Sequence, residues 1–421
     1  MWFSALTTPT NALRLGCIAD DFTGATDLAS VLRRVGYSTR IYFGLPEGTT
    51  PAEVNALVVA LKTRTAPVNA AVELAQQVHR WMSEQNVSKY FIKYCSTMDS
   101  TDSGNIGPTI DAVMELEDEK ISIVVPSYPD NGRTVSGGML YVNGTPLGQS
   151  TMRDHPLTPM KNSHIADILR PQTSAQIVNV TVDDVYTGVA HSLIDSLRDK
   201  ADCSLIAVDA TTNEDILALR SIVSELKVIT GGAALGQALV QPAETPTALD
   251  RLYQVSQGRR LIISGSASSA TQSQVRYAKE HMTALRVDPE VPWHVQLPKL
   301  AYAAVNAWES EPMQPVLVYA TSDLSDVKTE NASKVEETLA MLATHLVSKE
   351  GARQLIVAGG ETSGAVVQAL GIRHLDLGPE IAPGVVWGVG KTPDGVVMNV
   401  ALKSGNFGNK DMFTSAWDLL K

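Results

Sequence analysis

The sequence lacks the features that mark membrane-spanning, secreted or nucleic-acid-binding proteins. Among its 421 residues no apolar run is long enough to span a bilayer, and its N-terminus has no signal-peptide pattern, so we expect a cytoplasmic protein. The formal net charge is −11 without a run of lysine or arginine, which excludes a general nucleic-acid binder. A local group of cations could still bind an anionic small molecule.

Cysteine is also scarce, and the three that occur are far apart. Cys17, Cys95 and Cys203 show no metal-binding spacing. We therefore expect buried thiols in a reducing compartment, and neither a disulfide framework nor a zinc site.

Several standard catalytic and nucleotide motifs are missing. No strict G-x-G-x-x-G follows a strand-like run, which disfavours a standard dinucleotide-binding fold and hence a hydroxyacid dehydrogenase. The segment GVVWGVGKT (384–392) has its first glycine one position too early for a P-loop, and a Pro-Asp-Gly turn follows it where a P-loop needs a helix. The spacing of serines, histidines and acids suggests no hydrolase triad.

What the chain does contain is a long alternation of strand-like and helix-like segments. This alternation predicts mainly parallel sheets, and the length predicts two domains. The periodicity lapses after Gln241, which places a linker at 241–258 between domains of residues 1–240 and 259–421. We predict an α/β fold in which each domain has a mainly parallel or mixed sheet flanked by helices.

The stretch from Leu15 to Gly36 is the most informative part of the first domain. A short apolar run ends in Asp20 and Asp21, a turn carries Thr23 and Gly24, and an amphipathic helical pattern follows. At the carboxyl end of a strand in an open sheet, these groups could bind hydroxyls, accept a proton or meet an anionic ligand. The simpler interpretation is that they only cap the helix.

Polar loops follow several other strand-like runs of the first domain. They supply carboxylates, hydroxyls and cations, a mixture that suits a small, polyhydroxylated, negatively charged molecule. The candidates are Lys93, Ser96, Asp99, Arg133 and Arg153. Each loop taken alone could be an ordinary solvated turn.

The corresponding loops of the second domain are nearly uncharged and rich in glycine. The segment GGETSG (359–364) follows an apolar strand pattern and precedes a helical one, which makes it the best candidate for a phosphate-binding loop. Ser264, Gly265, Ser266 and Gly405 lie in similar clusters. The polar groups of the first domain therefore suit an acid sugar, and the glycine loops of the second suit phosphates. We expect an active site in the cleft between the two domains, because phosphoryl transfer requires both substrates to be aligned.

Seven motifs in this order resemble the four-carbon acid sugar kinases over nearly the whole chain. They are IADDFTGATD, KYCSTMDSTDSGNIGP, PSYPDNGRTVSGG, MRDHPLTPM, SGSASSATQ, AGGETSGAV and ALKSGNFG. Within that family, the second, fourth and seventh motifs are most similar to those of the 3-oxo-tetronate 4-kinases.

The resemblance implies transfer of the γ-phosphoryl group of ATP, with Mg²⁺, to the terminal hydroxyl of a four-carbon 3-oxo acid. It implies nucleotide contacts from Ser264–Ser266, from Gly359, Gly360, Glu361, Thr362 and Ser363, and from Gly405. Our hypothesis for the chemistry makes Asp21, or failing that Asp20, the base. Lys93, Arg133 and Arg153 would bind the carboxylate and the phosphoryl charge, and Ser96 and Asp99 would bind hydroxyls, next to Thr23 and Gly24.

Two alternatives for the function remain open at this point. The acid could be D-threonate or D-erythronate, or the serine-rich loop could belong to a phosphosugar-binding isomerase or regulator. We expect no dedicated protein metal site, because Mg²⁺ bound to ATP is held largely by phosphates and water. We expect no nucleic-acid or membrane partner, and a homodimer is compatible with the sequence.

Overall fold

The computed structural model describes residues 14–155, 157–239, 253–323, 326 and 332–420. Contacts between residues group these into two compact units. The N-terminal unit takes most of the chain up to residue 239. The C-terminal unit takes residues from 253 onward together with Ala25–Ser30 and Arg40–Gly44. The predicted division at 240 and 258 stays a prediction, and much of its linker, 241–252, lies outside the described residues.

The N-terminal unit is built on a parallel sheet with the strand order β3-β1-β4-β11-β5-β10-β9. Its strands are β1 (Arg14–Ala19), β3 (Ala56–Ala60), β4 (Val87–Lys93), β5 (Ile121–Val125), β9 (Gln176–Val180), β10 (Ser204–Val208) and β11 (Val228–Gly231). Its helices are α1 (Phe22–Arg34), α2 (Val68–Glu84), α3 (Ile106–Leu116), α4 (Ile165–Leu169), α5 (Val182–Tyr186), α6 (Val189–Arg198), α7 (Asn213–Ala218) and α8 (Arg220–Glu225). The central strands are buried on both faces, as parallel sheets covered by helices require.

A small antiparallel sheet follows β5. It consists of β6 (Arg133–Ser136), β7 (Met139–Val142) and β8 (Thr145–Pro146). Asn143 and Gly144, both with positive φ, form the turn between β7 and β8, as is typical of an Asn-Gly pair in a hairpin. The proline-rich segment 152–160 overlaps a 3-10 turn at Thr151–Asp154.

The C-terminal unit has a mixed sheet with the order β13-β14-β12-β15-β18-β17-β16-β2. Its strands are β2 (Thr39–Phe43), β12 (Arg259–Ser264), β13 (Ala284–Arg286), β14 (Val316–Tyr319), β15 (Ala352–Ala358), β16 (His374–Ala382), β17 (Val385–Lys391) and β18 (Val397–Lys403). Its helices are α9 (Ser269–Lys279), α10 (Trp293–Ser310), α11 (Ala332–Ser348), α12 (Gly360–Ala369) and α13 (Met412–Ser415). The strands from β13 to β18 in this order pair in parallel, and β18, β17, β16 and β2 pair antiparallel.

The α/β class and the mainly parallel or mixed sheets are confirmed. The segment 385–391 is a strand, so rejecting it as a P-loop was correct. The prediction of buried thiols is wrong for Cys203, which is exposed at the turn before β10, and Cys95 is only half-buried. Only Cys17, on the central strand β1, is fully enclosed.

Candidate active site

Two adjacent carboxylates lie at the carboxyl end of β1 and share one arginine. The Nε and Nη2 atoms of Arg64 donate to the two oxygens of Asp20, both at 2.9 Å. The Nη2 atom of Arg64 also lies 2.8 Å from Oδ1 of Asp21. Arg64 follows the neighbouring parallel strand β3, and its backbone N–H donates to the carbonyl of Asp20. The parallel pairing of β1 and β3 therefore brings the cation to the two acids.

Asp21 is also the N-cap of α1, so the capping interpretation is confirmed for this residue, whereas the Asp20 side chain pairs with Arg64. Its Oδ1 accepts the Gly24 N–H at 2.8 Å and its Oδ2 accepts the Thr23 hydroxyl at 2.8 Å. A Cβ on Gly24 would lie 2.3 Å from Asp21 Oδ1 and 3.0 Å from Lys93 Nζ. Only glycine allows this close approach of the helix start to both side chains. The Asp21 carboxylate can cap the helix and still accept a further hydrogen bond, because each of its oxygens has two lone pairs.

Asp99 joins the same group from the loop that follows β4. One of its oxygens lies 3.6 Å from Arg64 Nη1, and the other accepts the Thr97 hydroxyl at 2.7 Å. Met98 and Asp99 both have positive φ, a conformation that costs free energy for non-glycine residues and is often found at functional sites. Ser96 is half-buried in the same loop, where it lies beside Gly232.

Lys93 is the last residue of β4 and is almost completely buried, with 3% of its surface exposed. Its Nζ donates to the carbonyl of Tyr94 at 2.8 Å. A cavity of about 20 Å³ lies between Lys93 and its neighbours Asp20, Arg64 and Asp99. Two cations and two of the acids therefore line one small cavity, together with apolar side chains such as Ile18, Leu61 and Ile92.

These contacts shift the pKa values of the two adjacent acids, Asp20 and Asp21, in opposite directions. Burial raises the pKa of Asp20 above its ordinary value, although the Arg64 guanidinium acts in the opposite direction. Burial alone would also raise the pKa of Asp21, but Arg64, Lys93 and the bonds from Thr23 and Gly24 outweigh it and lower that pKa. Burial would lower the pKa of Arg64, but the two acids raise it well above its usual range. Asp21 and Arg64 therefore remain ionised at neutral pH.

The structure gives Arg133 and Arg153 only local contacts. Arg133, the first residue of β6, donates from Nη1 to the Asn131 carbonyl, and its buried Nε has no partner among the described residues. Arg153 is exposed and donates to the Gly148 carbonyl at 3.4 Å. Their roles as substrate ligands stay predictions.

In the C-terminal unit, the ends of three neighbouring parallel strands converge on one cavity. The turns after β12 and β15 are packed so closely that a Cβ on Gly265 would lie 2.2 Å from Thr362 Oγ1. Gly359 has φ +122°, and a Cβ there would lie 3.2 Å from the Ser266 backbone nitrogen. The adjoining cavity measures about 370 Å³, and its lining includes Gly265, Ser266 and Gly359–Thr362. Glycine suits both positions, because the Thr362 side chain leaves no room for a Cβ on Gly265 and the positive φ of Gly359 disfavours other residues.

The predicted nucleotide residues do not all face this cavity. Gly360 and Glu361 form the first turn of α12, where backbone N–H groups are free to bind an anion. Ser264 and Ser363 are fully buried behind the loops. The Ser264 hydroxyl has no partner among the described residues, and that of Ser363 donates to the Val357 carbonyl at 3.5 Å.

Gly405 follows β18, which pairs in parallel with β15, and it is not among the residues that line this cavity. A Cβ on Gly405 would lie 2.8 Å from Ser266 Oγ, so this turn lies against the loop after β12. The Gly405 carbonyl accepts the Thr271 hydroxyl at 2.7 Å and Lys403 Nζ at 2.9 Å.

Sequence reasoning missed two cations of these sites, Arg64 and Lys403. Lys403 ends the strand Val397–Lys403, and Arg64 lies in the short polar segment that begins after the strand Ala56–Ala60. That position at the end of a buried parallel strand was the available signal.

Two features are absent from the described residues: a metal-binding cluster of side chains and a membrane-spanning helix. They contain no group of three or more histidine, cysteine or acidic side chains placed to hold a metal ion. Among them, no helix combines the length and apolar composition needed to cross a lipid bilayer.

Comparisons with known proteins match both units. Residues 15–239 match a family described as a sugar-binding N-terminal domain, and residues 261–413 match a nucleotide-binding C-terminal domain. A 3-oxo-tetronate kinase of Burkholderia multivorans is 39% identical over 416 residues, covering 96% of both chains. One of Cupriavidus necator is 40% identical over 422 residues, again covering 96% of both chains.

Two solved structures are also similar to this chain over nearly its whole length. A protein from Salmonella typhimurium LT2 is 32% identical, with a TM-score of 0.84, and the match covers 96% of this chain and 98% of that one. A Haemophilus influenzae protein is 33% identical, with a TM-score of 0.77, and the match covers 96% of this chain and all of that one (100%).

Proposed function

Since the chain belongs to the family of the 3-oxo-tetronate kinases, we propose that it transfers the γ-phosphoryl group of ATP to 3-oxo-tetronate. The acceptor is the terminal 4-hydroxyl of this four-carbon acid sugar, and the product is its 4-phosphate. The observation that carries the proposal is the similarity to proteins of this name over nearly the full length of both chains. In addition, one part of this chain matches a sugar-binding domain and another part matches a nucleotide-binding domain.

We assign the base to Asp21. Its side chain is 26% exposed against 16% for Asp20, so the attacking hydroxyl can reach it more easily. The Oδ2 atom of Asp21 accepts only the rotatable Thr23 hydroxyl, whereas both oxygens of Asp20 face Arg64. The lowered pKa of Asp21 keeps it ionised and ready to accept a proton or orient the hydroxyl.

The charges around Asp21 suit an acid sugar. Lys93 would neutralise the substrate carboxylate or the transferred phosphoryl group, as would Arg133 and Arg153. Ser96 and Asp99 would bind hydroxyl groups. Arg64, which the acids already neutralise, would hold the acids in place.

ATP would bind at the loops of the C-terminal unit. Gly265, Ser266, Gly359–Thr362 and Gly405 present backbone close to the cavity of about 370 Å³ or to its loops, and the start of α12 favours negative charge. Mg²⁺ would be held mainly by phosphate oxygens and water and would neutralise the transferred group. The placement of the reaction in a cleft between the domains, a homodimer and a cytoplasmic location stay predictions.

The proposal is tested with a coupled assay of ADP release over a panel of four-carbon acids and their 3-oxo forms. We expect the highest kcat/KM with 3-oxo-tetronate and ATP. Preference for D-threonate or D-erythronate would replace the substrate but keep the kinase. Stabilisation by a sugar phosphate without any ATP-dependent turnover would contradict the proposal and favour a phosphosugar-binding protein.

A further inference from the structure

The lysine of the motif ALKSGNFG, to which the proposed mechanism gives no role, is buried beside the glycine loops of the C-terminal unit. Lys403 is the last residue of β18 and is fully buried, with 0% of its surface exposed. It pairs in register with Ala358 at the end of β15, and its carbonyl accepts the N–H of Gly359 at 2.9 Å. Among the described residues, no acid forms an ion pair with it. Lysine is rarely buried completely without an acidic partner. The hydrogen bonds of its amino group must therefore offset the free-energy cost of burying the charge.

Three acceptors surround the amino group of Lys403. Its Nζ donates to Thr271 Oγ1 at 2.7 Å, to the Ser404 carbonyl at 3.0 Å and to the Gly405 carbonyl at 2.9 Å. An ammonium group has three N–H bonds, so these contacts engage all of them. Lys403 therefore has no hydrogen left for a phosphate, and any effect on a ligand must pass through the backbone that it holds.

That backbone forms a short turn whose orientation follows from peptide geometry. In a planar trans peptide the C=O and the N–H point in opposite directions. Because the carbonyls of Ser404 and Gly405 face Lys403 Nζ, the N–H groups of Gly405 and Asn406 face away from it. Neither N–H donates to another described residue, and Asn406 is exposed. Two consecutive N–H groups that point the same way form a concave site for an anion.

The turn lies against the serine-rich loop that follows β12. A Cβ on Gly405 would lie 2.8 Å from Ser266 Oγ and 2.9 Å from Ser268 Oγ. The hydroxyl of Thr271 links the two parts, because it accepts from Lys403 and donates to the Gly405 carbonyl at 2.7 Å. The turn that carries the two N–H groups thus lies against Ser266, which lines the cavity.

We propose that Lys403 is a positioning residue that holds the turn at 404–406 so that the N–H groups of Gly405 and Asn406 bind the phosphates of ATP. The inference rests on the proposed function, since it takes ATP as the ligand. Thr271 acts with Lys403 by fixing the same carbonyl. Burial lowers the pKa of Lys403 to about 7, and the three acceptors act against this by favouring the charged form.

The test compares K403M with wild type and with K391M, a control that removes an exposed lysine at the end of β17. We expect K403M to raise both the dissociation constant for ATP, measured by titration calorimetry, and the KM for ATP by about tenfold or more. The KM for the acid should change less than about twofold, and K391M should resemble wild type in both. A purely structural lysine would instead lower the melting temperature and the active fraction, with both KM values unchanged.

A second pair of variants keeps the test decisive if K403M fails to fold. T271V removes the hydroxyl that links Lys403 to Gly405, and T271S restores it. We expect T271V to weaken ATP binding by roughly threefold to tenfold and T271S to bind ATP as wild type does. Wild-type ATP affinity in K403M or T271V, or an equal loss for ATP and the acid, would overturn the inference. Failure of the wild-type protein to bind ATP would refute the proposed function itself.

Discussion

Arg64 offers the sharpest test of how the acid cluster is held together. The substitution R64M keeps an unbranched side chain but removes the guanidinium that contacts three acids. Its distances to Asp20, Asp21 and Asp99 are 2.9, 2.8 and 3.6 Å. Removing one partner of a buried ion pair costs about 3–5 kcal/mol, because the remaining charge stays buried. The Arg64 side chain is 22% exposed, so we expect the lower end, a loss of about 3 kcal/mol in the free energy of unfolding at pH 7.

Urea denaturation at pH 7 and pH 5 measures this loss. Without Arg64 the pKa values of Asp20 and Asp21 rise in the folded state, so the folded variant binds more protons as the pH falls. The difference from wild type should therefore shrink at pH 5. The control is R40M, which removes the guanidinium that pairs with Asp376 in the C-terminal unit, where the two side chains are 10% and 13% exposed. R40M should lose comparable stability and keep its turnover per folded molecule, whereas R64M should lose turnover as well. An R64M protein as stable as wild type, or one with undiminished turnover, would refute this reasoning.

Three further predictions follow from the same contacts. D21N should lower kcat by about 10²-fold or more, because asparagine cannot accept a proton. It should leave ATP affinity unchanged, because asparagine still caps α1. A kcat within about threefold of wild type would show that Asp21 is not the base. G265A should raise the dissociation constant for ATP by at least about tenfold and spare acid binding, because its Cβ would lie 2.2 Å from Thr362 Oγ1; calorimetry with each ligand checks both expectations. The pKa of Lys403 is lowered to about 7 in the folded state, so the folded protein binds fewer protons than the unfolded chain between about pH 7 and pH 10. The stability of wild type relative to K403M should therefore rise with pH across this window, by about 1–2 kcal/mol from pH 7 to pH 9 in denaturant titrations, and a flat difference would contradict the lowered pKa.

The sequence predicted the elements whose signals are local. The apolar run before Asp20 and the periodic pattern up to Arg34 correspond to β1 and α1, and Gly36, with φ +100°, follows the end of that helix. The glycine loops at Gly265 and Gly359 could be predicted because close backbone approach leaves a clear residue signature.

What could not be predicted depends on contacts between residues distant in the chain. Arg64 meets Asp20 across 44 residues, and only the parallel register of β1 and β3 brings them together. Lys403 likewise meets Thr271 across 132 residues, because β18 and the strand before Thr271, β12, both pair in parallel with β15. The assignment of Ala25–Ser30 and Arg40–Gly44 to the C-terminal unit also follows from distant contacts, such as the Arg40–Asp376 pair across 336 residues. Local composition carries no information about such pairings.

The most direct test of the central claim is to identify the phosphorylated position of the product by phosphorus NMR after incubation with ATP and 3-oxo-tetronate. Transfer to the 4-hydroxyl places the phosphate on a CH₂ group, so we predict a triplet from coupling to two equivalent protons. One ADP should form for each product molecule. A doublet, which reports a phosphate on a carbon with a single proton, would contradict the account. So would ADP formation that yields only inorganic phosphate.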